Sequence, residues 1–120
     1  MHIDKELRKR VTFSGLVEKL KEKDQPHKIK RYKLDGEQEK WVCWKTKAHE
    51  CYAYFDKEGS LVQYDAEVAG PRGYHLVGDP GDQYEEREFK RALGHLGIDF
   101  VEKPLSRTYV SDHVIEFRDF

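Results

Sequence analysis

The sequence lacks most of the features from which a function is usually inferred. It contains no nucleotide-binding glycine fingerprint, no nucleophile elbow and no zinc-finger spacing. It has no internal repeat and no low-complexity tract. With only two cysteines in 120 residues, it also lacks the disulfide framework of small secreted domains. We therefore expect no cofactor and no metal ion, and we infer function from how the residue types are distributed.

Long apolar runs are also missing. The longest extend over only a few residues, far short of the roughly 20 that a helix needs to cross a bilayer, so we expect no membrane partner. The first residues, MHIDKELRKRV, are charged and have no apolar centre of the kind found in secretion signals. We expect a cytoplasmic protein that forms a single domain over residues 1–120, with an N-terminal arm at residues 1–11.

The chain does contain many charges and many aromatic rings. Charged residues make up 38% of it and hydrophobic residues another 38%, which indicates a modest core under a heavily charged surface. Seven Tyr, six Phe and two Trp supply enough apolar surface to offset the entropy of ordering the chain. This composition is typical of a folded domain and not of a disordered segment.

The near-neutral net charge of −1 conceals two oppositely charged halves. Residues 1–47 carry 14 Lys and Arg against 8 Asp and Glu, whereas residues 48–120 carry 8 against 15. A basic segment of this kind can contact nucleic acid or an acidic partner. Lysines on a solvated helix or an edge strand produce the same composition, and this second interpretation is the simpler one.

The pattern of apolar residues predicts an α+β fold. Apolar spacing predicts a helix at about 13–23, capped by Thr12 or Ser14 and ending before Pro26. A second helix is predicted at 83–96, since Asp82 and Glu85 have the spacing of a capping box and Gly97 follows. Strands are predicted at 28–34, 40–46, 49–55, 61–69, 98–103 and 108–120, with a long loop at 70–82. The expected fold is a mostly antiparallel sheet, a four-strand meander plus two C-terminal strands, packed by two helices in the order α-β-β-β-β-α-β-β.

Hairpin geometry assigns the side chains of the meander to two faces. A turn centred on Lys47 places Cys43 opposite Cys51, and a second turn places Phe55 opposite Leu61. The predicted core face then comprises Tyr32, Leu34, Val42, Trp44, Tyr52, Tyr54, Val62, Tyr64, Ala66 and Val68. The opposite face comprises Ile29, Arg31, Trp41, Cys43, Lys45, His49, Cys51, Ala53, Phe55, Leu61, Gln63, Asp65 and Glu67.

The two cysteines admit three interpretations. If Cys43 and Cys51 are cross-strand neighbours, their Cβ atoms lie about 4.5–5.5 Å apart, slightly wider than a disulfide prefers. His49 offers a third metal ligand, but no fourth is evident and the spacing matches no established zinc pattern. The residue types therefore favour two reduced thiols packed on the sheet.

One hypothesis makes the protein a metal-independent ribonuclease or toxin-like enzyme. His75 and His113 supply the general base and general acid that RNA cleavage needs near neutral pH. Arg72 stabilises a phosphate charge, and Tyr74 donates a proton or stacks on a base. Satisfied or exposed histidines on strands explain the same residues without catalysis.

The favoured hypothesis is a non-enzymatic binding domain that recognises a macromolecule. Its candidate binding residues, on one sheet face and the following loop, are Arg31, Trp41, Lys45, Phe55, Arg72 and Tyr74. Exposed rings flanked by cations can stack on bases in a nucleic-acid-binding module, and the same patch rimmed by charge suits a protein partner or an inhibitor-type interaction. The near-zero net charge favours protein over nucleic acid.

Overall fold

A computed structural model describes residues 3–34, 37–79 and 81–100 and confirms the α+β class. The helices are α1 Lys5–Arg10, α2 Phe13–Glu22 and α3 Gln83–Gly94. The strands are β1 His27–Leu34, β2 Glu37–Lys45, β3 His49–Phe55, β4 Leu61–Gly70 and β5 Gly73–Leu76. The strands form one antiparallel sheet in the order β1-β2-β3-β4-β5.

The helices of the described chain all pack on the same face of this sheet. Leu7 from α1, Leu16 from α2 and Phe89 from α3 join one core cluster with residues of β2, β3 and β4. The Phe89 ring stacks on that of Tyr64 with centroids 4.4 Å apart. We call this the helix side of the sheet; within the described residues, no element covers the opposite side, which we call the outer face.

Both long helices begin at the predicted caps. The Thr12 hydroxyl accepts the N–H of Gly15 at the start of α2, and the Asp82 carboxylate accepts the N–H groups of Tyr84 and Glu85 at the start of α3. These side chains satisfy backbone donors that have no partner within the first helical turn. The sequence therefore located both N-termini correctly.

The predicted register between β2 and β3 is wrong by one residue. Cys43 pairs with Tyr52, and Cys51 pairs with Trp44. Since neighbouring residues of a strand point to opposite faces, the slip moves Cys51, Ala53 and Phe55 to the helix side, where all three are fully buried. Tyr52 and Tyr54 move to the outer face and are half-buried there.

The register of β1 also differs from the prediction. Ile29 pairs with Val42, and Arg31 pairs with Lys40, so Ile29 and Arg31 lie on the helix side at the edge of the sheet. Tyr32 lies on the outer face and not in the core. The cause is that β2 begins at Glu37, three residues earlier than predicted, which moves the turn and with it the parity of β1.

In β4 only the first two residues, Leu61 and Val62, differ from the prediction in their burial. Phe55 does pair with Leu61, but the register shifts between Tyr54 and Phe55. Leu61 is consequently buried, and Val62 is 37% exposed instead of belonging to the core. Beyond this bulge the predicted core residues Tyr64, Ala66 and Val68 are buried as expected.

The segment predicted as a long loop contains a further strand. Residues 73–76 of the predicted loop 70–82 form β5, which pairs with β4. Residues 98–100 of the predicted strand 98–103 are not in a strand. The remainder of that strand and the strand predicted at 108–120 lie outside the described residues.

Glu85 is a buried carboxyl in the first turn of α3. It is 1% exposed, its Oε1 accepts the N–H of Gly81 at 2.7 Å, and its Oε2 has no hydrogen-bond partner in the part of the chain that the structure describes. Burial raises the pKa of Glu85 to about 7, and Asp65 and Asp82 add to the effect, while backbone N–H groups oppose it. Glu85 therefore holds a proton in the folded state at pH values where the unfolded chain has lost it.

Glu85→Gln is expected to remove a pH-dependent loss of stability. The stabilisation by protonated Glu85 is fully present below the unfolded pKa of 4.5 and is lost as pH rises through about 7. This loss amounts to about 3 kcal/mol of unfolding free energy. Urea denaturation at pH 4.5 and pH 8 measures the unfolding free energy of both proteins. Between these two pH values, the wild type should lose up to this amount of unfolding free energy more than the variant. Glu18→Gln, on the exposed side of α2, is the control; an equal response of both variants would contradict the assignment.

The two thiols are expected to react very differently. Both cysteines are free, Cys43 half-buried on the outer face and Cys51 fully buried on the helix side, where burial also raises the pKa of the Cys51 thiol. An aromatic disulfide reagent should therefore modify only Cys43 in the native protein and both thiols after denaturation. Cys43→Ser should abolish the reaction of the native protein. Rapid modification of Cys51 in the native protein would contradict the pairing of β2 with β3 that buries this thiol.

Candidate functional site

The outer face has an aromatic centre formed by two adjacent strands. Trp41 of β2 lies beside Tyr52 and Tyr54 of β3, with ring centroids 5.8 and 6.5 Å away. We call these three residues the aromatic patch. All three are half-buried, because rings on one sheet face cover one another even where no element lies above them.

Lysines border the aromatic patch on the β1 side. Lys30 lies directly opposite Trp41, and its Nζ is 5.3 Å from the centroid of the indole ring, within range of a cation–π interaction. Lys28 lies opposite Cys43, and both Lys28 and Lys30 are exposed. Lys45 completes this basic border at the end of β2.

Carboxylates border the aromatic patch on the opposite side. The Tyr52 hydroxyl donates to Glu50 Oε1 at 2.7 Å, and the Tyr54 hydroxyl donates to Asp65 Oδ2 at 3.4 Å. The bond to Glu50, together with burial, raises the pKa of Tyr52 to about 12. Desolvation raises the pKa of Glu67, and the neighbouring Glu50 and Asp65 raise it further. This side of the outer face therefore concentrates negative charge.

A shallow groove crosses the outer face beside the aromatic patch. It has a volume of about 390 Å³ and is lined by Lys28, Cys43, Lys45, Glu50 and Tyr52, among others. Lys45 Nζ lies 3.8 Å from Glu50 Oε2 across it. The groove thus combines an apolar floor with charges of both signs.

The structure brings some of the predicted binding residues together and separates others. Trp41 and Lys45 lie on the outer face as expected. Phe55 does not, since it is fully buried on the helix side with its ring 5.7 Å from that of Phe13. Arg31 also lies on the helix side, exposed at the β1 edge, so it does not accompany Trp41. Tyr52 and Tyr54 were missed as surface residues because the predicted register turned them inward.

Three of the four candidate catalytic residues lie in or beside β5. Tyr74 and His75 are neighbours in a strand and point to opposite sides of the sheet. The Tyr74 hydroxyl donates to the carbonyl of Thr46 at 2.6 Å, and Lys45 Nζ lies 5.1 Å from its ring centroid. Arg72 is exposed in the turn between β4 and β5. His113 lies outside the described residues.

A second cluster of polar side chains lies on the helix side. His49 Nε2 and Glu88 Oε1 are 3.0 Å apart, and Glu88 Oε2 accepts a hydrogen bond from Arg91 at 3.1 Å. Because a carboxylate only accepts, Nε2 of His49 carries the proton. His95 lies nearby, with its ring centroid 6.3 Å from that of His49, beside a groove of about 460 Å³.

Burial prevents His49 from acting as an acid or base in this groove. The residue is 5% exposed, Nε2 is occupied by Glu88, and Nδ1 is buried with no hydrogen-bond partner among the described residues. Neither nitrogen can therefore contact a molecule in the groove. Moreover, no group of three or more His, Cys, Asp or Glu in the described residues has the arrangement of a metal site. The cluster instead connects α3 to the beginning of β3.

The chain matches no family model, no curated protein and no solved structure. Among the described residues, no helix is both long and apolar enough to cross a membrane. Function therefore has to be argued from the surfaces described above.

Glu88→Ala should destabilise the fold by about 2–3 kcal/mol, because it leaves the buried Nε2–H of His49 without an acceptor. The control is Glu86→Ala on the same helix. It removes a partly exposed ion pair with Lys90 at 3.7 Å and should cost less than about 1 kcal/mol. Urea denaturation measures both variants, and equal losses would contradict the assigned role of Glu88.

Proposed function

We propose that the protein is a non-enzymatic binding domain that docks a protein partner on its outer face. The observation that supports this proposal is the aromatic patch, which no other described element covers and which is bordered by lysines on one side and by carboxylates on the other. Trp and Tyr are enriched at protein interfaces, where a large ring is buried at low entropic cost and its polar atom finds a partner.

The polar groups of the patch favour a protein partner over an apolar ligand. The hydroxyls of Tyr52 and Tyr54 already donate to Glu50 and Asp65, so these tyrosines stay in place without a partner. A preorganised ring loses little conformational freedom when it is buried, and this strengthens binding. Charges around the rim then select among partners and orient them.

The same charges argue against nucleic acid as the partner. Lys28 and Lys30 could contact phosphates beside Trp41, but Glu50, Asp65 and Glu67 lie two to three strands away on the same face. A polyanion lying across the patch would meet these carboxylates at short range. A protein can instead present cations to one side and carboxylates to the other.

A pull-down from a native lysate of the cells that express the protein tests the proposal. Wild-type bait should retain a stoichiometric protein that survives nuclease treatment, and a Trp41→Ser/Tyr54→Ser bait should retain at least about tenfold less of it. The matched control is Ile29→Ser, which removes an apolar side chain that is 40% exposed on the helix side and should bind like the wild type.

Two results would contradict the proposal. The first is that nuclease treatment removes the captured protein and that the bait itself binds a single-stranded oligonucleotide with an affinity that falls as salt rises. The second is equal capture by the wild type and the patch variant, which would place the interaction elsewhere on the molecule.

A further inference from the structure

The charges on the outer face form a gradient across the sheet. Three consecutive rows of cross-strand neighbours show this gradient when each is read from the β1 side towards β4, and the next pair along β1 and β2, Tyr32–Glu39, lies beyond them and has no lysine. The rows are Lys45–Glu50–Glu67, Lys28–Cys43–Tyr52–Asp65 and Lys30–Trp41–Tyr54–Gln63. Every row begins with a lysine, and two of the three end with a carboxylate, while the aromatic patch occupies the middle.

Such a gradient is complementary to itself. Consider a second copy generated by a two-fold axis that lies between the two outer faces and runs parallel to the strands. In this arrangement, β1 of each copy covers β4 of the other. Lys28 then faces Asp65 of the second copy, Lys45 faces Glu50 of the second copy, and Trp41 faces Tyr54 of the second copy. Every charged contact occurs twice, as required of a two-fold symmetric interface.

The alternative face-to-face arrangement is opposed by charge. A two-fold axis along the Lys28–Asp65 row places β1 over β1 of the second copy, so that Lys28 faces Lys28 and Asp65 faces Asp65 of that copy. Like charges at such distances are destabilising. The charge pattern therefore selects one of the two symmetric arrangements, and in it the strands of the two sheets run nearly parallel or antiparallel, as in aligned sheet packing.

We infer that the protein partner of the outer face is a second copy of this chain, packed sheet to sheet about a two-fold axis parallel to the strands. This inference rests on the proposed function, since it identifies the partner of the same surface. Four strands about 4.8 Å apart and six residues at about 3.3 Å each give a patch of roughly 400 Å². Because a standard interface buries about 800 Å² on each partner, we expect a weak dimer with a dissociation constant in the micromolar range.

Paired charge reversals test the inference in solution. One variant carries Lys28→Glu and Lys30→Glu, and the other carries Gln63→Lys and Asp65→Lys. Each variant opposes like charges in its own dimer and should be monomeric by sedimentation velocity at concentrations up to about 500 µM, at which the wild type dimerises. An equimolar mixture should restore the dimer, because three of the four contacts then pair opposite charges and the fourth, Lys30 with Gln63, stays as in the wild type.

The matched control reverses two cations on the other face of the same strand. Arg31→Glu/Lys33→Glu has the same change in net charge as the lysine variant, but both residues are exposed on the helix side. It should dimerise like the wild type. Failure of the mixture to dimerise, or an equal loss of dimer in this control, would overturn the proposed arrangement.

The test separates failure of this inference from failure of the proposed function. A wild type that stays monomeric, while Trp41→Ser/Tyr54→Ser still loses its lysate partner, overturns the dimer and leaves the outer face as the docking site of another protein. A monomeric wild type whose lysate capture does not depend on the patch overturns both.

Discussion

The turn between β2 and β3 determines which side chains the protein presents to its surroundings. The Thr46 hydroxyl accepts the N–H groups of Ala48 and His49, and the Thr46 N–H donates to the carbonyl of His49 at 2.8 Å. These bonds fix the pairing of Lys45 with Glu50, with four residues, 46–49, between the two partners. A connection shorter by one residue would reverse every side chain of β3. The tyrosines would then point towards the helices, and the aromatic patch would not exist.

A β-bulge between β3 and β4 limits the effect of this turn to the side chains of β3. The bulge between Tyr54 and Phe55 shifts the pairing of β3 with β4, so that Tyr64 still lies under Phe89 of α3. Without the bulge, the alternation in β4 would place the Tyr64 ring on the outer face. The turn and the bulge therefore act together: the first turns Tyr52 and Tyr54 outward, and the second keeps the core of β4 intact.

Sequence reasoning located the elements better than it assigned their faces. Helix starts were predictable because Thr12 and Asp82 cap through local contacts. The faces of β3 were not predicted correctly, because a turn centred on Lys47 puts Tyr52 and Tyr54 on the core face, whereas the observed turn puts the smaller Cys51 and Ala53 there. Close packing of α3 on the sheet favours the small side chains, whereas tyrosine can remain half-exposed when its hydroxyl has a partner. The hydroxyl of Thr46 and the bulge decide the matter, and neither has a marked pattern in the sequence.

The arrangement of the outer face also limits what can bind there. Burial by the protein itself already raises the pKa of Glu67, so a partner that covers Glu50, Asp65 and Glu67 without supplying cations would bear a large desolvation cost. An apolar or acidic partner is thereby disfavoured, and a partner with basic side chains at matching spacing is favoured. On the same face of the same sheet, Lys28 and Lys45 have the spacing that matches Asp65 and Glu50. The tyrosine–carboxylate bonds and the lysine border of the aromatic patch are thus also the features that make the face complementary to itself.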